Sequence, residues 1–133
     1  MSEGSFGRAP SLDDLALIAE RAFAELPEGF RRLAGEVVFR VDDFPPDEVL
    51  DELGIEDAFG LTGLYQGVDL TRRSVFDAPQ PSRVFLYRRP ILDEWAERGD
   101  VTLEELVTHV LVHEIGHHFG LSDGDIDAIE AAE

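Results

Sequence analysis

The sequence of 133 residues contains no cysteine and no lysine, and its only methionine is Met1. Without cysteine the chain forms no disulfide bonds, no thiolate zinc clusters and no cysteine nucleophile, so any metal ion would be held by histidine, aspartate or glutamate. Its 11 arginines face 29 acidic residues, which leaves a formal net charge of −18. We therefore expect neither nucleic acid nor an anionic membrane surface as a partner.

Long apolar runs are also missing from this sequence. No segment approaches the roughly 18 apolar residues that span a bilayer, and residues 1–10 lack the apolar core of a signal peptide. We therefore expect a soluble, cytoplasmic protein. Hydrophobic residues make up 44% of the chain and charged residues 30%, which is a globular composition. At this length we predict a single domain over 1–133, with 1–10 as a flexible leader.

Hydrophobic periodicity and turn residues divide the chain into helices and strands. Helical spacing predicts a helix over 12–26, which Pro27 ends. Thr102 and Glu105 form a capping box that begins a helix over 103–119. The other predicted elements are strands over 35–41, 60–68 and 83–88, short helices over 47–53 and 90–99, a last helix over 123–131 and a surface loop over 72–81.

The predicted helix over 103–119 carries the sequence H-E-x-x-H. His113 and His117 lie four residues apart and therefore one turn apart on the same face, so both imidazoles can bind one divalent ion. Glu114 lies beside the first histidine, close enough to take a proton from a metal-bound water without being a ligand. We therefore predict His113 and His117 as metal ligands and Glu114 as the catalytic base.

The residues after this motif extend it to H-E-x-x-H-x-x-G-x-x-D. Gly120 allows a left-handed turn at the end of the helix, which can bring Asp123 back towards the ion as a third ligand. Two histidines and one aspartate leave a fourth position for water, as in a catalytic rather than a structural zinc site. Asp123 also fits the first turn of a helix as a purely structural acid. Asp127 and Glu130 on the last helix are alternative third ligands.

Two further histidines lie on the same predicted helix. His109 lies four residues before His113 and could approach the site, although a partly exposed helix position is the simpler interpretation. His118 points about 100° away from His117 and cannot share its ion. We therefore predict a structural or surface role for His118.

The residues at 113–123 are similar to the extended motif of the zincin metallopeptidases. Together with Gly63–Gly67, Leu86–Pro90 and the short length, they resemble the small bacterial family of minimal zincins (the Zincin_1 type) over about residues 12–125. The resemblance implies a compact α+β domain, with a small mixed sheet packed against the motif helix, and zinc-dependent peptidase activity. Asp123 stands where the larger metzincins commonly have histidine, and no methionine-containing turn follows it.

The motif leads to the hypothesis of a peptide hydrolase that uses one Zn²⁺ ion and a water activated by it. Glu114 would take the proton of the water and pass it to the leaving amine. The substrate would be a peptide or an unstructured protein that adds to a strand edge, either 61–66 or 83–88. Tyr65 and Tyr87 are candidates to hydrogen-bond the developing oxyanion, although a core aromatic with a wet hydroxyl is the simpler interpretation of each.

The uneven distribution of charge supports an alternative function. Eight acids lie between Asp42 and Asp57 and nine between Asp100 and Glu133, with no arginine in either stretch, whereas 72–89 has five arginines and one acid. The alternative is a non-catalytic, metal-stabilised module that docks an acidic protein partner through 72–89. A simpler interpretation is that these arginines offset neighbouring carboxylates. The negative field of the acids would draw a cation and disfavour acidic substrates.

Overall fold

The computed structural model describes residues 9–66 and 82–131. Its elements in chain order are α1 (Leu12–Ala24), α2 (Glu28–Ala34), β1 (Val37–Asp42), α3 (Asp47–Leu53), a 3₁₀ turn (Ala58–Gly60), β2 (Gly63–Gln66), β3 (Ser82–Tyr87), α4 (Arg88–Arg98), α5 (Leu103–His118) and α6 (Asp123–Ala131). This is an α+β architecture, as expected. No described helix is both long and apolar enough to cross a lipid bilayer. The predicted loop over 72–81 and the end of the predicted strand over 60–68 lie outside the described residues.

The two long helices α1 and α5 both begin with a capping box. The hydroxyl of Thr102 accepts from the backbone N–H of Glu105 at 3.0 Å, and the Glu105 carboxylate accepts from the backbone N–H of Thr102 at 2.8 Å. Ser11 and Asp14 make the same reciprocal pair at the start of α1. Each box satisfies two backbone donors that a helix start would otherwise leave unpaired. The predicted start of the motif helix is therefore confirmed.

Helix α2 was not predicted, because Pro27 and Gly29 are expected to stop helical structure. Pro27 instead directly precedes the first helical residue of α2, where the fixed φ of proline and its missing N–H cost little. Phe30 is buried in the core from this helix, and the Nε atom of Arg31 donates to the carbonyl of Leu26 at 2.8 Å. Packing and a local hydrogen bond thus sustain a helix that propensity alone disfavours.

The three strands form one mixed sheet with the order β1-β3-β2. β3 runs parallel to β1 and antiparallel to β2, so it is hydrogen-bonded on both sides. Its residues Val84 and Leu86 have no exposed surface, as expected of a central strand. The prediction of 83–88 as a free strand edge is therefore wrong. Within the described part of the chain, β2 pairs on one side only.

Helix α5 packs against α1 and directly against β2, and α1 in turn packs against β1. Gly63 permits this close packing, because a Cβ atom at that position would lie only 2.8 Å from Cγ1 of Val110 on α5. The buried face of α5 includes Leu106, Val107, Val110, Leu111 and Ile115. The motif helix is thus held beside the edge strand of the sheet, as the resemblance implies.

Helix α6 folds back along the last turns of α5. Gly120 has a φ of +78° at the turn, and the backbone N–H of Leu121 donates to the carbonyl of Gly116 at 2.9 Å. Ile126 is fully buried against Gly116, where an added Cβ would lie 3.0 Å from Cγ1 of Ile126. The glycine inside the motif therefore lets α6 approach α5. The predicted turn and last helix are confirmed.

The beginning of the described chain is held by Arg88. The Nε atom of Arg88 donates to the carbonyl of Pro10, which is buried, and its Nη1 atom lies 3.1 Å from Oδ1 of Asp43. Of the expected flexible leader, residues 1–8 lie outside the described residues. The expectation of a single domain over 1–133 stays a prediction.

Candidate metal centre

Helix α5 presents three histidines on one face. His109, His113 and His117 follow one another at intervals of four residues, so each lies one turn beyond the last. The ring centroids of His109 and His113 are 4.0 Å apart, and those of His113 and His117 are 5.4 Å apart. His113 is therefore the middle member of a row of imidazoles.

The environment of His113 favours the neutral imidazole. Its Nε2 atom is buried and has no hydrogen-bond partner in the described structure. Burial lowers the pKa of His113, and the neighbouring His109 lowers it further. Leaving a buried polar atom unpaired costs about 1–3 kcal/mol. Because neutral imidazole is the form that binds metals, this atom is suited to a cation.

Helix α6 brings one carboxylate to each end of this row. Oδ1 of Asp123 lies 3.6 Å from Nε2 of His117, and Oε1 of Glu130 lies 2.9 Å from Nδ1 of His109. The side chains of His117 and Asp123 are 53% and 84% exposed. Those of His109 and Glu130 are 36% and 25% exposed, so this pair is the more sheltered.

The predicted ligands are only partly assembled in this geometry. His113 and His117 share a face and Asp123 lies near His117, as the spacing predicts, but Asp123 points into solvent. The group whose ligand atoms all lie within 4.8 Å of one another consists of His109, His113 and Glu130. The roles of His113, His117 and Asp123 as ligands stay a prediction.

The sequence did not predict that His109 lies with His113 and Glu130. The histidine is half-buried, in agreement with the expected partly exposed position, but its ring packs on His113 and its Nδ1 atom bonds Glu130. The spacing of four residues to His113 was the available indication. Glu130 was considered as a third ligand, but its proximity to His109 follows from how α6 folds back, which the spacing does not specify.

Glu114 is half-buried next to His113 on α5. Burial raises the pKa of its carboxyl group, and the nearby His117 opposes this rise. A general base works best when its pKa lies near the working pH, so a raised carboxyl pKa suits proton transfer. This environment fits the predicted role of Glu114, which stays a prediction.

The aromatic candidates for binding an oxyanion have different surroundings. The hydroxyl of Tyr65 donates to the hydroxyl of Ser82 at 2.8 Å in the core, and its ring packs edge-on against His118 at 4.7 Å. Tyr87 is buried, and burial together with Asp42 raises the pKa of its phenol. The hydrogen bond of Tyr65 favours the structural interpretation of that residue. His118 is exposed and its ring contacts Tyr65, which agrees with the predicted structural or surface role.

The chain thus has a mixed sheet packed beside a helix with H-E-x-x-H, followed by a glycine turn and an acidic helix, an α+β arrangement consistent with a zincin-like fold. The model of the zincin-like metallopeptidase family matches residues 34–132, and the chain belongs to this family. The match spans all three strands and both helices of the site. No curated protein matches the chain.

The residues on α5 and α6 fit the zinc ion that this family implies. Histidine nitrogen and carboxylate oxygen are the ligands that zinc takes in proteins without cysteine. The Nε2 atom of His113 is a buried polar atom without a partner in the described structure, and a bound cation would give it one. The chain therefore has donor atoms suited to zinc, and zinc binding would give the buried Nε2 atom of His113 a partner.

Proposed function

We propose that the protein hydrolyses peptide bonds, with one zinc ion held by His113, His117 and Asp123 and with Glu114 as the general base. The observation that carries this proposal is the H-E-x-x-H sequence on α5, with His113 and His117 on one face of the helix, in a chain of the zincin-like metallopeptidase family. When bound, zinc acts as a Lewis acid and lowers the pKa of a coordinated water to about 7.

The side chains of this set have separate tasks. His113 and His117 offer ring nitrogens one turn apart, and Asp123 offers a carboxylate that is exposed enough to reorient towards them. Glu114 accepts the proton of the attacking water and delivers it to the leaving amine. Its half-buried position keeps its pKa raised, so the carboxyl group can hold that proton between the two steps.

The substrate we propose is an extended peptide or an unstructured protein that pairs with β2. The described part of the chain pairs β2 on one side only, which leaves backbone groups of Gly63–Gln66 available for an added strand. β2 packs directly against α5, so the added strand would run close to the motif helix. The net charge of −18 disfavours acidic peptides. A preference for acidic residues next to the scissile bond would contradict this.

The direct test replaces Glu114 by Gln, which keeps the size of the side chain but removes the base. The Glu114→Gln variant should retain zinc and lose hydrolysis of unstructured peptides by about 10²- to 10⁴-fold, the range for a general base. Bound zinc is measured by elemental analysis and cleavage by a fluorogenic peptide library. Glu104→Gln, an exposed acid in the first turn of the same helix, is the matched control. Cleavage by Glu114→Gln at the parent rate would refute the base role.

The alternative, a metal-stabilised binding module, predicts that chelation lowers the melting temperature while no peptide is cleaved. Its proposed docking segment, 72–89, is partly used inside the molecule. Arg88 is bound to the carbonyl of Pro10 and to Asp43, and the guanidinium of Arg89 lies 5.8 Å from the ring of Phe44. These contacts favour the interpretation that the arginines offset neighbouring groups, and we therefore prefer the peptidase.

A further inference from the structure

His113 has two neighbours, His109 and Glu130, that the proposed peptidase does not use. His109, His113 and Glu130 each place one ligand atom so that all three lie within 4.8 Å of one another. The ring centroid of His109 is 4.0 Å from that of His113, and its Nδ1 atom is 2.9 Å from Oε1 of Glu130. Two imidazoles and a carboxylate thus lie close together. The ligand set of the proposed peptidase shares only His113 with this group.

We propose that His109, His113 and Glu130 form a second site for a divalent cation. The Nε2 atom of His113 is buried and has no hydrogen-bond partner within the described residues, so a bound cation would give it a partner. His109 and Glu130 are the more sheltered pair of the two that flank His113. The second site is therefore closer to an assembled state than the set formed with His117 and Asp123.

The donor set indicates which ions would bind. Two imidazoles and one carboxylate suit Zn²⁺ and the similar ions Co²⁺ and Ni²⁺, whereas Mg²⁺ and Ca²⁺ prefer oxygen alone. Ligand atoms around a tetrahedral zinc ion lie about 3.4 Å apart, given zinc–nitrogen distances of about 2.1 Å. The widest separations in the group, up to 4.8 Å, would have to shorten, and the 2.9 Å between Nδ1 of His109 and Oε1 of Glu130 would have to widen. The ion would take the place of the proton that now links His109 to Glu130.

Sharing His113 makes the two sites mutually exclusive. Both sets are proposed to use Nε2 of His113, which is buried and unpartnered within the described residues, and a single ring nitrogen binds one ion. An ion held with His109 and Glu130 therefore withdraws His113 from His117 and Asp123. In this way the second site would regulate the loading of the first, a consequence that rests on the proposed peptidase, whereas the binding itself does not.

The test first removes the exposed set with the double variant His117→Ala, Asp123→Asn. Both side chains point largely into solvent, so the fold should persist, which far-UV circular dichroism and thermal melting check. Calorimetric titration of the untagged double variant with Zn²⁺ should still show one bound ion per chain, as should titration of the parent chain. A double variant that binds no zinc would overturn the proposal, and so would a parent chain that binds two ions.

The second step adds Glu130→Gln to the double variant. Zinc affinity should then fall by at least about 10- to 100-fold, since loss of even an outer-shell partner has that effect. His109→Gln should cause a similar loss without changing α6, and Glu104→Gln should leave the affinity unchanged. Unaltered affinity in both the Glu130 and the His109 variants would exclude the site. None of these measurements involves hydrolysis, so a protein that cleaves no peptide would refute the proposed function and leave this inference standing.

Discussion

The two carboxylates that α6 brings to α5 lie in different environments. Glu130 is 25% exposed and bonds His109 at 2.9 Å, whereas Asp123 is 84% exposed and lies 3.6 Å from His117. The open end near Asp123 has the access that a water and a substrate need at a catalytic ion. The sheltered end has the shorter contact but is less accessible. Close contact and access are thus divided between the two ends of one helix pair, and His113 lies between them.

The largest effect should come from removing the residue that both ends share. His113→Ala deletes a ligand from each set, and we expect zinc affinity to fall by more than about 100-fold, beyond the loss caused by outer-shell partners. Competition with a chromophoric chelator measures this affinity. His118→Ala is the control on the same helix, since its ring packs on Tyr65 and lies off the row of ligands. If His113→Ala bound zinc as tightly as the parent chain, both sets would be wrong.

A smaller effect should follow from moving α6 away from α5. Gly116→Ala places a Cβ 3.0 Å from Cγ1 of Ile126, so the buried isoleucine must shift. Overpacking costs about 1–3 kcal/mol, and the better helix propensity of alanine returns about 1 kcal/mol. We therefore expect a net loss of about 1 kcal/mol in the free energy of unfolding, measured by urea denaturation. Zinc binding at the sheltered end should weaken as well.

The control for this substitution is Gly124→Ala in the first turn of α6. A Cβ atom at Gly124 would contact only the hydroxyl of Ser122, at 3.8 Å, so the change introduces no overlap. It should leave stability unchanged or raise it by up to about 1 kcal/mol through helix propensity. Equal losses of stability in the Gly116 and Gly124 variants would show that the close approach of α6 to α5 does not matter.

Much of the site is predictable from the sequence because its determinants are local. The capping box of Thr102 and Glu105 specifies where α5 begins, and the spacing of His113 and His117 specifies their common face. Gly120 is predictable as the turn after the helix because its positive φ requires glycine. Each of these features depends on residues within a few positions of one another, where backbone geometry alone decides the outcome.

The pairing of His109 with Glu130 was not predictable in the same way. The two residues are 21 positions apart, and their contact depends on the packing of Ile126 into the space left by Gly116. The central place of β3 was missed for a similar reason, since strand order is a property of the whole sheet. Long-range packing decides such features, and no local pattern in the sequence encodes it.

The smallest expected effect is on the pH dependence of stability, through the ionisation of Glu114. Burial raises the pKa of this carboxyl group in the folded chain, so the folded state binds a proton more tightly than the unfolded state. The metal-free chain should therefore lose stability as the pH rises from the ordinary pKa of glutamate through the raised value. Glu114→Gln cannot ionise, so its stability relative to the parent chain should increase over the same interval.

Urea denaturation of both metal-free chains at a series of pH values measures this difference. A difference that stayed constant with pH would show that burial of Glu114 does not oppose its ionisation. The raised pKa on which the proposed base role depends would then be wrong.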